Sequence, residues 1–250
     1  MISTLSRMAL GVLLSLLLSL LPAAGHAEAL TRELVVARAA ILYADRLAEL
    51  RIDVDPGFTQ RVRGIALPLI TQAKRDYPET ERWDWQVHTT DDPDQNADCM
   101  AGGKILISQA YIERLQLGDA DIAMMLAHEI QHAALHHNLK EYQQALLLDP
   151  GWAARPFIEL EDAVDHDRDL MALLAPTNYT QEQEADREGL LLAWRAGWPA
   201  ARLAGYFRKM HRASDRPGHS KPDYPSPASR WRAARTLADT LQKNDVQPAD

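Results

Sequence analysis

At 250 residues the chain is long enough for one substantial hydrophobic core and too short for several domains. Apolar residues make up 46% and charged residues 25%, a globular balance that excludes a disordered chain. A formal net charge of -8 offers no basic surface for nucleic acid, and the single cysteine, Cys99, excludes an internal disulfide and an all-cysteine metal site.

Taken in chain order, Arg7 precedes an apolar run from Met8 to Leu21, which Pro22 ends. Small residues then follow in Ala23-Ala24-Gly25-His26-Ala27, ahead of Glu28. The run falls short of the ~20 apolar residues a bilayer span needs. Residues 1–27 are therefore expected to be a cleaved signal peptide rather than an anchor, with the periplasm of a bacterium as the destination. The first helix is expected from Leu30 to Leu50, where Leu34, Ala37, Ile41, Ala44 and Leu47 recur at helical spacing. A second runs from Pro56, a good first-turn residue, to Arg75. Strands are expected at Trp83–Thr89 and Gly103–Ser108, separated by the polar loop from Asp91 to Asp98.

Beyond Ser108 the chain reads as helical. The segment from Asp121 to Asn138 is apolar almost all round, as a buried central helix would be. Further helices are expected at Ile158–Leu174, Gln181–Ala196, Pro199–His211 and Pro227–Lys243, with a Pro/Gly/Ser-rich loop from Ser214 to Ser226 and a frayed tail over residues 244–250. The fold class is thus mostly α with a small β-sheet, an α+β architecture.

The chemistry centres on His128-Glu129-Ile130-Gln131-His132. Residues four apart on a helix share a face, so both imidazoles can aim at one zinc ion, with Glu129 placed to take a proton from an attacking water. With 9 histidines in the chain, the pattern arises by chance only about 0.02 times. A catalytic zinc needs a third protein ligand. A third histidine ten residues after the first is excluded, because that position is Asn138 and the accompanying glycine is replaced by Leu135. A glutamate nineteen or twenty residues after His132 is excluded too, by Gly151 and Trp152. His136 shares the helix but reaches the same ion poorly. The segment from Gln181 to Gly189 remains, in which Glu182 can ligate while Asp186, on the same face, holds the outer nitrogen of a ligand histidine. Spacing alone leaves Glu184 a rival, and leaves an ordinary acidic helix start open.

From Asn96 to about Arg230 the chain resembles the M48 family of zinc endopeptidases, the Ste24, HtpX and Oma1 type. The resemblance rests on Asn96-Ala97 with Gly102-Gly103-Lys104-Ile105, on Leu126-Ala127-His128-Glu129-Ile130-Gln131-His132, and on Glu182-Gln183-Glu184-Ala185-Asp186. It implies a zincin-like single catalytic domain over residues 28–243, with the motif helix at its centre and one Zn2+ per chain. His128, His132 and Glu182 would bind the zinc, Glu129 would activate a zinc-bound water, and Asp186 would orient a ligand. His137 falls where the family usually has histidine, although packing or capping explains it as well. Tyr224 departs from the family: many secreted members carry histidine before the proline, and here Tyr224-Pro225 is followed by Arg230. A tyrosine hydroxyl there could serve as a weak ligand or as a donor to the developing oxyanion.

The function these residues imply is a zinc metalloendopeptidase acting on unfolded or exposed protein segments of the cell envelope. Its substrates would bind as an added β-strand near Gly103–Ser108. The competing expectation is a zinc-stabilised periplasmic chaperone or assembly factor with little proteolysis, which the intact Glu129 disfavours.

Overall fold

Thr31 opens the first helix of the computed structural model, which describes residues 30–214 and 225–246. The expected signal peptide, Tyr224, most of the 214–226 loop and the end of the tail lie outside the described residues. The Thr31 hydroxyl accepts from the Leu34 N–H at 3.2 Å and so caps α1 (Arg32–Glu49), whose Val35, Ala39 and Tyr43 form a buried stripe. Asp55 caps α2 (Pro56–Asp76) through the N–H groups of Gly57 and Phe58, and Pro56 sits in the first turn as expected. Among the described residues no helix is long and apolar enough to cross a membrane.

Among the described residues the sheet has three strands, β1 (Gln86–Thr90), β2 (Ala97–Met100) and β3 (Lys104–Ser108), in the order β1-β3-β2. β1 begins later than the sequence implied, because Pro78–Arg82 forms a 3₁₀ turn and pairing starts at Gln86. β2 occupies part of the expected polar loop. Its Cys99 is buried in the core with Ala97 packed against it, while Asp98 is paired with Arg46 of α1 at 2.5 Å. The turn from β2 into β3 closes with the Gly103 N–H on the Met100 carbonyl at 3.1 Å, and φ is 80° at Gly102 and 79° at Gly103. The two glycines therefore serve a tight hairpin that a side chain would strain.

This topology corrects the expected substrate strand. β3 pairs with β1 in parallel on one side and with β2 antiparallel on the other, so its backbone has no edge left to offer. The outer side of β2 pairs with no described strand.

Helices complete the fold: α3 (Gln109–Arg114), α4 (Asp119–Ala134), α5 (His137–Leu148), α6 (Phe157–His166), α7 (Arg168–Arg195), α8 (Ala200–Ser214) and α9 (Pro227–Val246). Two expected spans are cut differently. The helix from Asp121 breaks before Asn138, because His136 adopts a left-handed conformation (φ 56°) and α5 starts afresh at His137. The expected Ile158–Leu174 helix is split at Asp167, whose carboxylate caps a new helix through the N–H groups of Asp169 and Leu170. That new helix, α7, then runs through Pro176 for 28 residues.

Two apolar clusters result. One joins α2, the sheet, α4, the C-terminal part of α7, α8 and α9; the other joins α1, α5, α6 and the N-terminal part of α7. α7 spans both, and its middle, with Gln181, Glu182, Ala185 and Asp186 buried, lies along α4.

The link between α1 and α2 is pinned to β1 by Asp53, itself at φ 51°. Its carboxylate accepts from the Thr89 N–H at 3.0 Å, lies 2.8 Å from His88 Nδ1 and pairs with Arg63 at 2.7 Å. Burial alone would raise its pKa, but the Thr89 N–H, His88 and Arg63 outweigh burial and hold it below its usual 3.8. A depressed carboxylate stabilises the fold above its unfolded pKa, and that contribution fades as pH falls through the folded value. Asp53→Asn tolerates the same backbone conformation. It should cost about 1 kcal/mol at neutral pH, or about 2–4 °C in Tm, with the gap closing towards about pH 3. Thermal unfolding across pH checks this; a gap that does not close in acid contradicts it.

Candidate metal centre

α4 carries the site because its register is fixed from its first turn. The Asp121 carboxylate accepts from the Gly118 N–H at 2.8 Å and pairs with Lys209 of α8 at 2.7 Å. Ile122 through Ala127 are all buried, which places the helix between the sheet and α7. One turn on, His128 and His132 bring their Nε2 atoms to 3.1 Å. From α7, Glu182 places Oε1 3.2 Å from His132 Nε2 and Oε2 3.5 Å from His128 Nε2. Among the described residues this is the one group of three such side chains whose ligand atoms converge within 4.8 Å.

The donor set fits a tetrahedral cation. Two ligands at ~2.0–2.1 Å round such an ion stand about 3.3 Å apart, close to the separation of the two imidazole nitrogens and to the distance of each from the nearer Glu182 oxygen. Among the described residues Glu182 Oε2 is buried and makes no hydrogen bond, a costly state for a carboxylate that a bound cation would relieve. Although burial alone would raise it, Glu182's pKa is lowered by the hydrogen bond to His132 and by the charges of His128 and Arg230, so it stays ionised. Two imidazoles and a carboxylate are a zinc-type set, with room for a fourth ligand.

Outside the triangle, His128 Nδ1 lies 3.0 Å from Asp186 Oδ1, one turn after Glu182 on α7. Arg230 of α9 clamps that carboxylate with two bonds, Nε to Oδ2 at 2.7 Å and a terminal nitrogen to Oδ1 at 2.5 Å, and the same nitrogen stands 3.5 Å from Glu182 Oε2. Glu129 keeps some contact with solvent although protein surrounds it. Burial pushes its carboxyl up to about 8, against the pull of His128, with repulsion from Asp98 and Glu182 adding to the rise.

The model of Peptidase family M48 matches residues 58–238, from the first turn of α2 into α9, a span that holds the whole site. The chain belongs to peptidase family M48. Its similarity to individual M48-type proteins is modest. It is 26% identical to the mitochondrial metalloendopeptidase OMA1 of Bos taurus over 174 residues, which cover 61% of this chain and 31% of that protein. It is 24% identical to the beta-barrel assembly-enhancing protease of Escherichia coli K12 over 210 residues, 78% of this chain and 42% of that protein. The Arabidopsis thaliana mitochondrial metalloendopeptidase OMA1 is 30% identical over 118 residues, 46% of this chain and 23% of that protein. The chain thus spans less than half the length of the curated relatives it matches.

Within this M48 chain the structure brings His128, His132, Glu182 and Asp186 together, and adjacent Glu129 with them. The rival Glu184 turns away to His137 Nε2, at 3.3 Å. His136 turns away too: its ring meets Trp83 edge-on, and its Nε2 lies 3.7 Å from Glu79. Tyr224 lies outside the described residues, next to the buried Pro225. Two participants have no role that the sequence pattern alone assigns. Arg230 is visible there only as the end of the Pro225…Arg230 frame, and nothing in the spacing names Asp186 as its partner. His137, which packing alone would explain, sits with Nδ1 2.9 Å from His132 Nδ1.

Proposed function

We propose that this M48 chain is a zinc-dependent metalloendopeptidase that cleaves unfolded or exposed protein segments, with His128, His132 and Glu182 as ligands and Glu129 as proton carrier. The observation that carries the reading is the buried His128–His132–Glu182 cluster, with a carboxylate oxygen that makes no hydrogen bond, beside a Glu129 carboxyl that makes none with the described residues. Family membership supports the reaction class.

A zinc ion held there supplies Lewis acidity, polarising a carbonyl and acidifying water. The protein's own residues do the rest. Asp186, fixed by Arg230, stands 3.0 Å from His128 Nδ1, placed to take its proton's hydrogen bond and so turn the Nε2 lone pair inward. Glu129 takes a proton from the attacking water and returns it to the leaving amine. A carboxyl raised towards neutrality by burial suits both halves of that task, and a cation nearby pulls it back towards the ionised form the first half needs. Tyr224, from the sequence alone, is the proposed donor to the oxyanion.

Substrate is proposed to lie along the outer edge of β2 rather than at β3. Asp98 and Met100 turn their backbone groups inward to β3, which leaves those of Ala97 and Cys99 facing outward. That edge is close enough to Glu129 for the charge of Asp98 to act on Glu129 and that of Glu129 to act on Cys99. Recognition through backbone would favour extended, unfolded segments. The leader-like residues 1–27, and the likeness to an E. coli protease named for β-barrel assembly, support a periplasmic site of action with envelope proteins as clients.

The test is cleavage of an unfolded protein such as casein by the purified chain. Cleavage should stop with a chelator and return with Zn2+. A chain that binds Zn2+ but never cuts would overturn the enzymatic reading and favour the chaperone alternative.

A further inference from the structure

We propose that His137 and Glu184 form a positioning relay that fixes the ring of His132 and presents its Nε2 lone pair to the metal. This rests on His132 being a ligand, and goes beyond it in assigning work to two residues outside the triangle.

The local chain geometry comes first. On a continuous helix, residue 137 would stand about 140° round from residue 132 and could not face it. The left-handed turn at His136 ends α4 and redirects the chain, and His137, the first residue of α5, swings back against His132. The two rings meet edge-on at 82° with centroids 4.8 Å apart. The backbone of His137 is held as well, since the Gln181 side-chain amide donates to its carbonyl at 3.3 Å. A non-glycine residue in the left-handed region costs about 1–2 kcal/mol, and here the turn delivers a histidine to the outer nitrogen of a ligand.

The hydrogen-bond sense then follows from which atoms can donate. Glu184 Oε2, facing His137 Nε2 at 3.3 Å, can only accept, so Nε2 carries the proton. In a neutral imidazole the other nitrogen is then a bare acceptor, and that Nδ1 stands 2.9 Å from His132 Nδ1. With Nδ1 as its donor, His132 can give up the Nε2 proton it shares with Glu182 in the metal-free protein and offer that nitrogen's lone pair to a bound metal. The two ligand histidines thus have different supports. His128 leans on a buried carboxylate, Asp186, and His132 leans on a buried imidazole backed by a carboxylate at the surface. The His137 side chain is 2% exposed, whereas that of Glu184 is 42% exposed with Lys140 3.8 Å away.

The relay is tested by metal affinity. Zn2+ binding is measured by competition with a chromophoric chelator, and the geometry is read from the visible spectrum of the Co2+-substituted protein. His137→Phe keeps the ring and removes both nitrogens, and should weaken Zn2+ binding about 10–100-fold. Glu184→Leu, at the surface and harmless to the core, should weaken binding in the same direction and shift the Co2+ bands. Glu184→Gln, whose amide oxygen can still accept, should restore near-wild-type affinity and spectrum. Unchanged affinity and spectrum in Glu184→Leu overturn the relay, even if His137→Phe fails to fold. Equal loss in Glu184→Leu and Glu184→Gln overturns the hydrogen-bond assignment. A wild-type chain that binds no Zn2+, or a His132→Ala chain that binds it as well as wild type, signals instead that the ligand assignment itself is wrong.

Discussion

Glu129→Gln is expected to lower peptidase turnover by about 10²–10⁴-fold while the protein still binds one zinc. The amide has the shape of the carboxyl and none of its basicity, and the three proposed ligands are untouched. Metal content and casein cleavage, measured on one preparation, check both halves. Activity within a few-fold of wild type would sink Glu129 as the proton carrier. A second readout needs no activity at all. In the metal-free protein the carboxyl is raised from 4.5 to about 8, chiefly by burial. A raised carboxyl holds more protons in the folded state, so its stabilising contribution is full below its unfolded pKa and declines as pH rises through that window. Glutamine mimics the protonated form at every pH. The metal-free variant should therefore match wild type near about pH 4 and exceed it near about pH 8, by 1 kcal/mol or more, at least about 2–4 °C in Tm. A metal-free variant less stable than wild type at the upper end would mean that Glu129 makes a structural bond.

The features legible in the sequence are those that repeat at a fixed spacing along one element. His128 and His132 on α4, and Glu182 and Asp186 on α7, are each one turn apart, and one turn is enough to predict a shared face. The ends of α1 and α2 are legible for a similar reason, since Pro56 in the first turn and the apolar period are local. What is not legible depends on contacts distant in sequence. β2 reads as an acidic loop until Arg46, 52 residues earlier, neutralises Asp98. The break at His136 carries no glycine or proline; it is imposed by α5 packing against the 3₁₀ turn Pro150–Ala154 and α7, with Gln181 holding the His137 carbonyl. Pro176 reads as a helix stop, yet α7 continues, because Leu170 and Leu174 before it and Leu190 and Leu192 after it are buried in the two separate cores. Arg230 reaches Asp186 across 44 residues, a pairing that no local period encodes.

The strand error has the same origin. Gly103–Ser108 has the pattern of a buried strand, and substrate was expected to add beside it, but no one-dimensional pattern tells a central strand from an edge. All five residues of β3 are buried, including Lys104, whose ammonium is held by Asp84 at 2.7 Å, and burial throughout marks the centre of a sheet. The edge fell instead to the strand hidden in the acidic segment.

Gly189→Ala tests whether the packing of α7 on α4 sets the metal site. A Cβ at Gly189 would stand 2.9 Å from both Cα and N of His128 and 3.1 Å from the carbonyl carbon of Ala127. These are backbone atoms of the motif helix and cannot swing aside, so the two helices must separate towards the ~3.5–4.0 Å of an ordinary contact. Glu182 and Asp186 ride on the same helix, within two turns, and would be drawn back from His132 and His128. Helix propensity alone favours alanine by about 1 kcal/mol, yet the substitution should destabilise by about 1–3 kcal/mol. Gly64, inside α2 with nothing within 4 Å of where a Cβ would stand, supplies the contrast: Gly64→Ala should stabilise by about 0.5–1 kcal/mol. Zinc affinity separates a packing fault from a site fault. Gly189→Ala should lose about tenfold or more, as misplaced outer partners do, while Gly64→Ala should lose none. Stability lost without affinity would place Glu182 on a part of α7 that moves independently of Gly189. Affinity lost in proportion would mean that the glycine is as much a part of the metal centre as the carboxylates it lets approach.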